Sequence, residues 1–326
     1  MTRAPGRLAA ATCALLAALA LAACGEKEEN IGEAQAEPFD LALDFYVNPD
    51  HAGIVTAIDR GFFAKAGLDV RPQVPSDPSA PIRQVAAGRA DLAISYEPEV
   101  FLAREQGLDV IAIAALVDEP LTSLISLPRS GIEEPADLRG KTVATAGIPY
   151  QADYLSTILG EAGVSADEVK TVNVGFNLLP ALLGGRADAI LGGFRNVEGV
   201  DLAQRGENPR VVPVDQLGVP TYDELVLVAS AESVAEDPET LRLFLSALSK
   251  GTASAVADPA AATESVLDAG EGLDPALTRA EVDATLPLLA ACGSSGMASG
   301  GLANMPPERR RSALANLGPL GTADAN

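Results

Sequence analysis

Basic residues are few in this sequence: 23 Lys and Arg stand against 45 Asp and Glu in 326 residues, a formal charge of −22. A field of that sign repels phosphate backbones and anionic lipid surfaces, which excludes a nucleic-acid partner and a peripheral basic membrane contact. Cysteines number three, with Cys13 inside an N-terminal apolar stretch, Cys24 at its end and Cys292 alone far downstream. Neither an internal disulfide nor a cysteine metal cluster can be assembled from them. His51 is the one histidine, and the candidate loops described below hold no set of nucleophile, base and orienting group, which argues against an enzyme. After residue 22 no apolar run approaches membrane length.

What is present at the N-terminus addresses the compartment. Arg3 and Arg7 precede an Ala/Leu stretch over residues 8–22, too short for a comfortable transmembrane span, and the pattern reads as an export signal over 1–23. Leu21-Ala22-Ala23-Cys24 resembles the lipobox of bacterial lipoproteins, which implies cleavage before Cys24 and a lipid on that cysteine. Loss of Arg3 and Arg7 takes the formal charge to −24. Residues 24–38, with Glu26, Lys27, Glu28 and Glu29, are charged and aperiodic, as expected of a tether. The chain is thus expected outside the cytoplasm, anchored through lipid to the periplasmic or outer face of a membrane.

From Phe39 onward short apolar runs alternate with helical patterns, the signature of mostly parallel sheets flanked by helices. Strands are expected over 39–46, 70–74, 91–95, 110–116, 141–146, 169–174 and 187–191. Helices are expected over 49–66, 79–87 with Ser79 as N-cap, 98–106, 150–161, 178–183 and 197–205. Extended stretches at 121–127 and 222–229 suit crossings between lobes. Helices over 238–257, 259–269 and 275–291 follow, with another near 307–317. Gly88-Arg89-Ala90-Asp91 recurs as Gly185-Arg186-Ala187-Asp188 at an offset of 97, and Ala66-Gly67 as Ala162-Gly163 at an offset of 96. Matching landmarks in register predict two α/β lobes of like topology: a first over 39–121, a second over 122–226, and a return to the first over 227–326.

Loops after strand C-termini in such sheets face one crevice, so their residues are the candidates for recognition. In the first lobe these are Phe45, Asn48, His51, Tyr96 and Glu97. His51 near a helix start can donate and accept, either toward a ligand or as a solvated cap. Tyr96 offers a ring and a hydroxyl, while Glu97 and Glu99 can accept from an amine or simply enrich a helix first turn. In the second lobe Asn177, Gly192, Gly193, Phe194 and Glu198 qualify, the glycines either admitting a ligand to the backbone or making a tight turn. Tyr222 and Glu224 open the return crossing, and Glu224 in an apolar strand needs a partner. His51→Ala and Glu224→Gln are expected to weaken binding without unfolding the chain.

Six segments together carry a family resemblance: Asn48-Pro49-Asp50-His51-Ala52-Gly53, Gly61-Phe62-Phe63, Ser95-Tyr96-Glu97-Pro98-Glu99, Asp137-Leu138-Arg139-Gly140-Lys141, Asn173-Val174-Gly175-Phe176-Asn177 and Tyr222-Asp223-Glu224-Leu225-Val226. Over most of 39–229 the chain resembles NMT-and-THI-like substrate-binding proteins, above all those for thiamine pyrimidine precursors of the formylaminopyrimidine or hydroxymethylpyrimidine type. The resemblance implies a periplasmic-binding-protein-like (type II) fold and a monomer without cofactor. It also implies partnership with an ABC permease and ATPase. An aminopyrimidine has a flat π face, ring acceptors and an amine, which aromatic rings with Glu, Asn and His complement. Nitrate or alkanesulfonate would call for cations, and among these loops Arg195 is the one cation. Pyrimidine-binding relatives usually carry two tryptophans, where this chain has Phe45 and Arg195. Stacking then falls to Phe45, Tyr96 or Phe194, or the ligand has a different ring, as a riboflavin-like heterocycle would. Family members that synthesise the pyrimidine carry a Cys-rich motif that is missing here.

Overall fold

The computed structural model describes residues 36–289. The expected export segment, Cys24, most of the tether, Cys292 and the helix near 307–317 lie outside the described residues. Two five-stranded sheets carry the fold. The first runs β2 (Leu68–Gln73), β1 (Glu37–Ala42), β3 (Leu92–Ser95), β10 (Leu225–Ser230), β4 (Val110–Val117). The second runs β7 (Lys170–Asn173), β6 (Thr142–Thr145), β8 (Ala189–Phe194), β5 (Thr122–Ser126), β9 (Arg210–Pro213).

Each sheet is mixed rather than mostly parallel, and the crossing strands are the reason. β5 enters the second sheet antiparallel to β8 and β9, and β10 enters the first antiparallel to β3 and β4. Both arrive from the other lobe and so run against the strands that flank them. The residues of β5, and nearly all of β10, are buried; this matches the near-continuous apolar character of β10, whereas β5 also buries the hydroxyls of Thr122, Ser123 and Ser126, which donate to Glu224 and to the Leu121 and Ile132 carbonyls.

The four-residue repeat has a physical cause. Gly88 and Gly185 take left-handed φ values of 64° and 70°, which a β-carbon would strain. The following Asp closes onto the first parallel strand of its own lobe. Asp91 Oδ2 accepts from Asp40 N at 2.6 Å, and Asp188 Oδ2 accepts from Thr142 N at 2.8 Å.

Most of the elements keep the places expected of them within a few residues, and the departures have local explanations. The helix expected over 49–66 is a 3-10 turn (Pro49–His51) followed by α1 (Ala52–Asp59) and α2 (Phe62–Lys65), broken at Gly61 with φ 66°. Helix α3 (Pro81–Ala86) lacks the Ser79 cap because Ser79 donates instead to Asp77 Oδ1 at 2.8 Å. β1 stops at Ala42, after which the chain turns Asp44 inward. The remaining helices of the lobes are α4 (Glu97–Glu105), α5 (Tyr150–Glu161), α6 (Leu178–Leu183) and α7 (Glu198–Gln204).

After β10 come α8 (Ala231–Glu236), α9 (Pro238–Ala257), α10 (Pro259–Ala269) and α11 (Pro275–Thr285). The last three share one start signal. Asp237, Asp258 and Asp274 each accept from a first-turn amide, and each is followed by a proline at the first helical position, where its fixed φ helps and its missing N–H costs nothing. The last helix ends at Thr285 rather than near 291, because Pro287 cannot supply the next N–H. β9 and α8 had no clear counterpart in the pattern.

Helix α9 returns to the first lobe, where Phe244 stacks between Phe39 and Phe63 at ring separations of 5.1 and 4.8 Å. It also meets α1 backbone to backbone. A β-carbon on Gly251 would lie 2.3 Å from the Gly53 carbonyl oxygen and 2.5 Å from Ala57 Cβ. Gly251→Ala is therefore expected to destabilise the chain by about 1–3 kcal/mol through overpacking, measured by urea denaturation; an unchanged midpoint would contradict this contact.

Candidate ligand-binding site

A hollow opens between the two sheets, lined from both lobes. Asp44, Phe45, Asn48 and Tyr96 line it from the first lobe. Ala146, Ile148, Tyr150, Gln151, Gly192, Phe194, Val197 and Glu198 line it from the second.

Asp44 anchors the first wall. It is 2% exposed, its Oδ2 accepts from the Tyr96 hydroxyl at 3.0 Å, and its Oδ1 lies 3.0 Å from His51 Nε2. His51 Nδ1 takes the Asn48 backbone N–H at 3.2 Å, which leaves the ring proton on Nε2, pointing at Asp44. Burial, with the neighbouring Asp44 charge next, holds the Tyr96 hydroxyl well above the usual phenol range. Tyr96 thus stays a donor. His51 itself is fully buried and orients Asp44 from behind, so its removal should reach the pocket only indirectly.

The second wall is built by the start of α5 and the end of β8. Gln151 is buried, its Oε1 accepting from Ile148 N at 3.4 Å. A β-carbon on Gly192, whose φ is 111°, would stand 2.3 Å from Gln151 Nε2, so glycine admits the amide there. Glu198 Oε2 accepts from Phe194 N at 2.7 Å. Burial raises the Glu198 carboxyl to about 7 against the pull of the Phe194 and Glu198 amides. Near neutrality it can therefore donate or accept.

Of the residues singled out from sequence, Phe45, Asn48, Tyr96, Gly192, Phe194 and Glu198 line this hollow, and the others serve elsewhere. Glu97 accepts from Asp223 N at 2.7 Å, tying α4 to the return crossing. Asn177 is exposed and donates to the Val174 carbonyl. Gly193 faces away, since a β-carbon there would meet Ile190 and Ile125 at 2.9 and 3.1 Å. Tyr222 and Glu224 clamp the two crossing segments together. Glu224 is fully buried; its Oε2 accepts from Leu121 N, Thr122 N and the Tyr222 hydroxyl at 2.8, 2.7 and 2.8 Å, and its Oε1 from Thr122 Oγ1 at 2.9 Å. Arg195 reaches outward to Glu119 at 3.1 Å and to the Pro120 carbonyl at 3.3 Å.

Sequence reasoning missed Asp44, Tyr150 and Gln151. The strand-end rule applied to β6 would have found the last two, because they open the helix that follows it. Asp44 gave no such signal, since alternation along the strand expected over 39–46 places it on the outer face.

Aromatic and polar contacts join the lobes around the hollow. Phe45 and Tyr46 meet Phe176 at ring separations of 4.7 and 4.6 Å. Asn196 Nδ2 donates to Asp50 Oδ1 at 2.7 Å and to Thr285 Oγ1 at 2.8 Å. Toward the crossing segments, Tyr96, Tyr150, Tyr154 and Tyr222 form a chain of rings spaced 5.0–5.5 Å apart.

Two α/β lobes of matching strand order, joined by exchanged strands around a polar and aromatic hollow, make up a fold of the periplasmic-binding-protein type. The alkanesulfonate-binding protein of Xanthomonas axonopodis pv. citri, solved with MOPS bound, shares this fold with a TM-score of 0.63 at 16% identity, over 77% of this chain and 84% of that one. The NMT1/THI5 like family model matches residues 48–262, and the chain belongs to that family. The formylaminopyrimidine-binding protein of Halalkalibacterium halodurans is 39% identical over 75% of this chain and 74% of its own length. A Legionella pneumophila protein named 4-amino-5-hydroxymethyl-2-methylpyrimidine phosphate synthase is 29% identical over 76% of this chain and 78% of its own.

Proposed function

We propose that this chain is the exported, Cys24-lipidated receptor of an ABC-type importer, and that its lobes close around an aminopyrimidine of the formylaminopyrimidine type without altering it. The observation that carries this reading is the chemistry of the hollow. Two carboxyl groups, Asp44 and Glu198, stand among Phe45, Tyr96, Tyr150 and Phe194, and the lining residues include no Lys or Arg. Carboxylates and Asn48 or Gln151 meet an exocyclic amine and ring nitrogens, while the aromatic side chains supply faces for a flat ring. An oxyanion such as nitrate or a sulfonate would meet negative charge instead, and Arg195 is already held by Glu119.

The name of the halalkaliphile relative supports the pyrimidine, and that of the Legionella relative supports the competing reading of a synthase. Calorimetry against formylaminopyrimidine, hydroxymethylpyrimidine, riboflavin, nitrate and an alkanesulfonate tests the ligand. Mass spectrometry of the recovered ligand tests turnover. Tight binding of a pyrimidine returned intact is expected; preference for an oxyanion, or a chemically changed pyrimidine, would overturn the proposal.

A further inference from the structure

Beside the hollow, the seam between the lobes gathers acidic side chains, of which Glu198 alone also lines the hollow. Asp50 and Glu281 come from the first lobe, from the 3-10 turn after β1 and from α11. Glu198 and Asp201 come from α7 of the second. All four are buried. Asn196 ties the seam together by donating to Asp50 and Thr285 across it.

We propose that closure of the cleft is coupled to proton uptake: when α7 docks on α11, the carboxyl groups of Asp50 and Glu281 meet those of Glu198 and Asp201 along one buried seam, so acidification favours the closed form. The inference rests on the reading of this chain as a lobe-closing receptor. Like charges brought together out of water cannot all remain ionised, and each proton taken up relieves both burial and repulsion.

The surroundings leave most of that charge uncompensated. Arg205, which caps the C-terminus of α7, pairs with Asp201 through two guanidinium nitrogens. His51 stands behind Asp50, engaged by Asp44 and the Asn48 amide. Arg279 and Asp283 on α11, and Glu264 and Asp268 on the adjoining α10, are exposed to solvent. Among the described residues no group of His, Cys, Asp and Glu is arranged to hold a metal ion. Burial lifts Asp50 to about 7, where Asn196 opposes it, and lifts Glu281 to about 8, with Asp201, Glu198 and Asp50 adding to it.

The sign follows from linkage. Parting the lobes would take the Asn196 and α7 contacts away from Asp50 and Glu281 and bring both carboxyls toward ordinary values; with lobes together they titrate higher. Closure is therefore fully favoured below the ordinary range and loses support as pH rises through about 7 and 8. A carboxyl whose titration midpoint rises by about one pH unit on closure changes the closing equilibrium about tenfold.

Two measurements on the purified chain test this, using wild type, Glu281→Gln and Asp50→Asn. Small-angle scattering of the ligand-free protein should show a smaller radius of gyration at about pH 5.5 than at about pH 8.5, with the response flattened in both variants. Calorimetry with formylaminopyrimidine in buffers of different ionisation enthalpy should show proton uptake near neutrality, about tenfold weaker binding at the higher pH, and both effects reduced in the variants. Scattering that ignores pH, or a pH response that both substitutions leave intact, overturns the coupling. If the pyrimidine fails to bind while the scattering response persists, the ligand assignment falls and the coupling stands. If it binds with no proton uptake and no pH dependence, the coupling falls and the ligand assignment stands.

Discussion

Glu224→Ala is expected to cost about 3–5 kcal/mol of folding stability. The carboxylate sits where both crossing segments meet and accepts from two backbone amides and two hydroxyls. Alanine leaves the Leu121 and Thr122 amides without an acceptor in a fully buried site, and those donors cannot turn elsewhere. Glu224→Gln is the informative control. Its carbonyl can keep the position of Oε2, and the Thr122 hydroxyl can rotate to accept from the new amide, so a loss below about 1 kcal/mol is expected. Burial already pushes the Glu224 carboxyl above its ordinary range against the four donors, which is consistent with tolerance of a neutral replacement. Chemical denaturation of the three proteins decides it: equal losses for Ala and Gln would mean that the hydrogen bonds are not what the crossing depends on.

Glu198→Ala is expected to weaken formylaminopyrimidine binding by about 10- to 150-fold, the worth of a charge-assisted hydrogen bond of about 1.5–3 kcal/mol. Folding should be much less affected, because the substitution also removes a carboxyl that burial lifts to about 7. Calorimetry at neutral pH with thermal melts in parallel separates the two readouts. Unchanged affinity in a folded variant would take Glu198 out of the recognition surface and leave Asp44 as the acidic contact from the first wall.

Half of the candidate site was legible because strand ends are legible. Phe45, Asn48, Tyr96, Gly192, Phe194 and Glu198 all follow or close a strand, and an apolar run ending in polar or glycine residues marks such places without tertiary information. The other half was ambiguous for one reason: a polar side chain near a strand end can turn toward the cleft or away from it. His51 turns to Asp44, Glu97 to Asp223 and Glu224 to the first crossing. The expectation that His51→Ala acts by removing a ligand contact gives way to an effect transmitted through Asp44.

By itself the sequence determined the periodic elements, the Asp-Pro helix starts, the paired Gly-Arg-Ala-Asp landmarks and the acidic balance that disfavours anionic partners, because each depends on neighbours a few residues apart or on composition alone. Only the tertiary structure decided which polar groups line the hollow and which clamp the crossings or join the lobes. Those roles are set by partners far away in the chain, 103 residues for Glu224 with Leu121 and 146 for Asn196 with Asp50. A buried carboxyl goes wherever donors are brought to it, and the exchange of β5 and β10 between the lobes brings them.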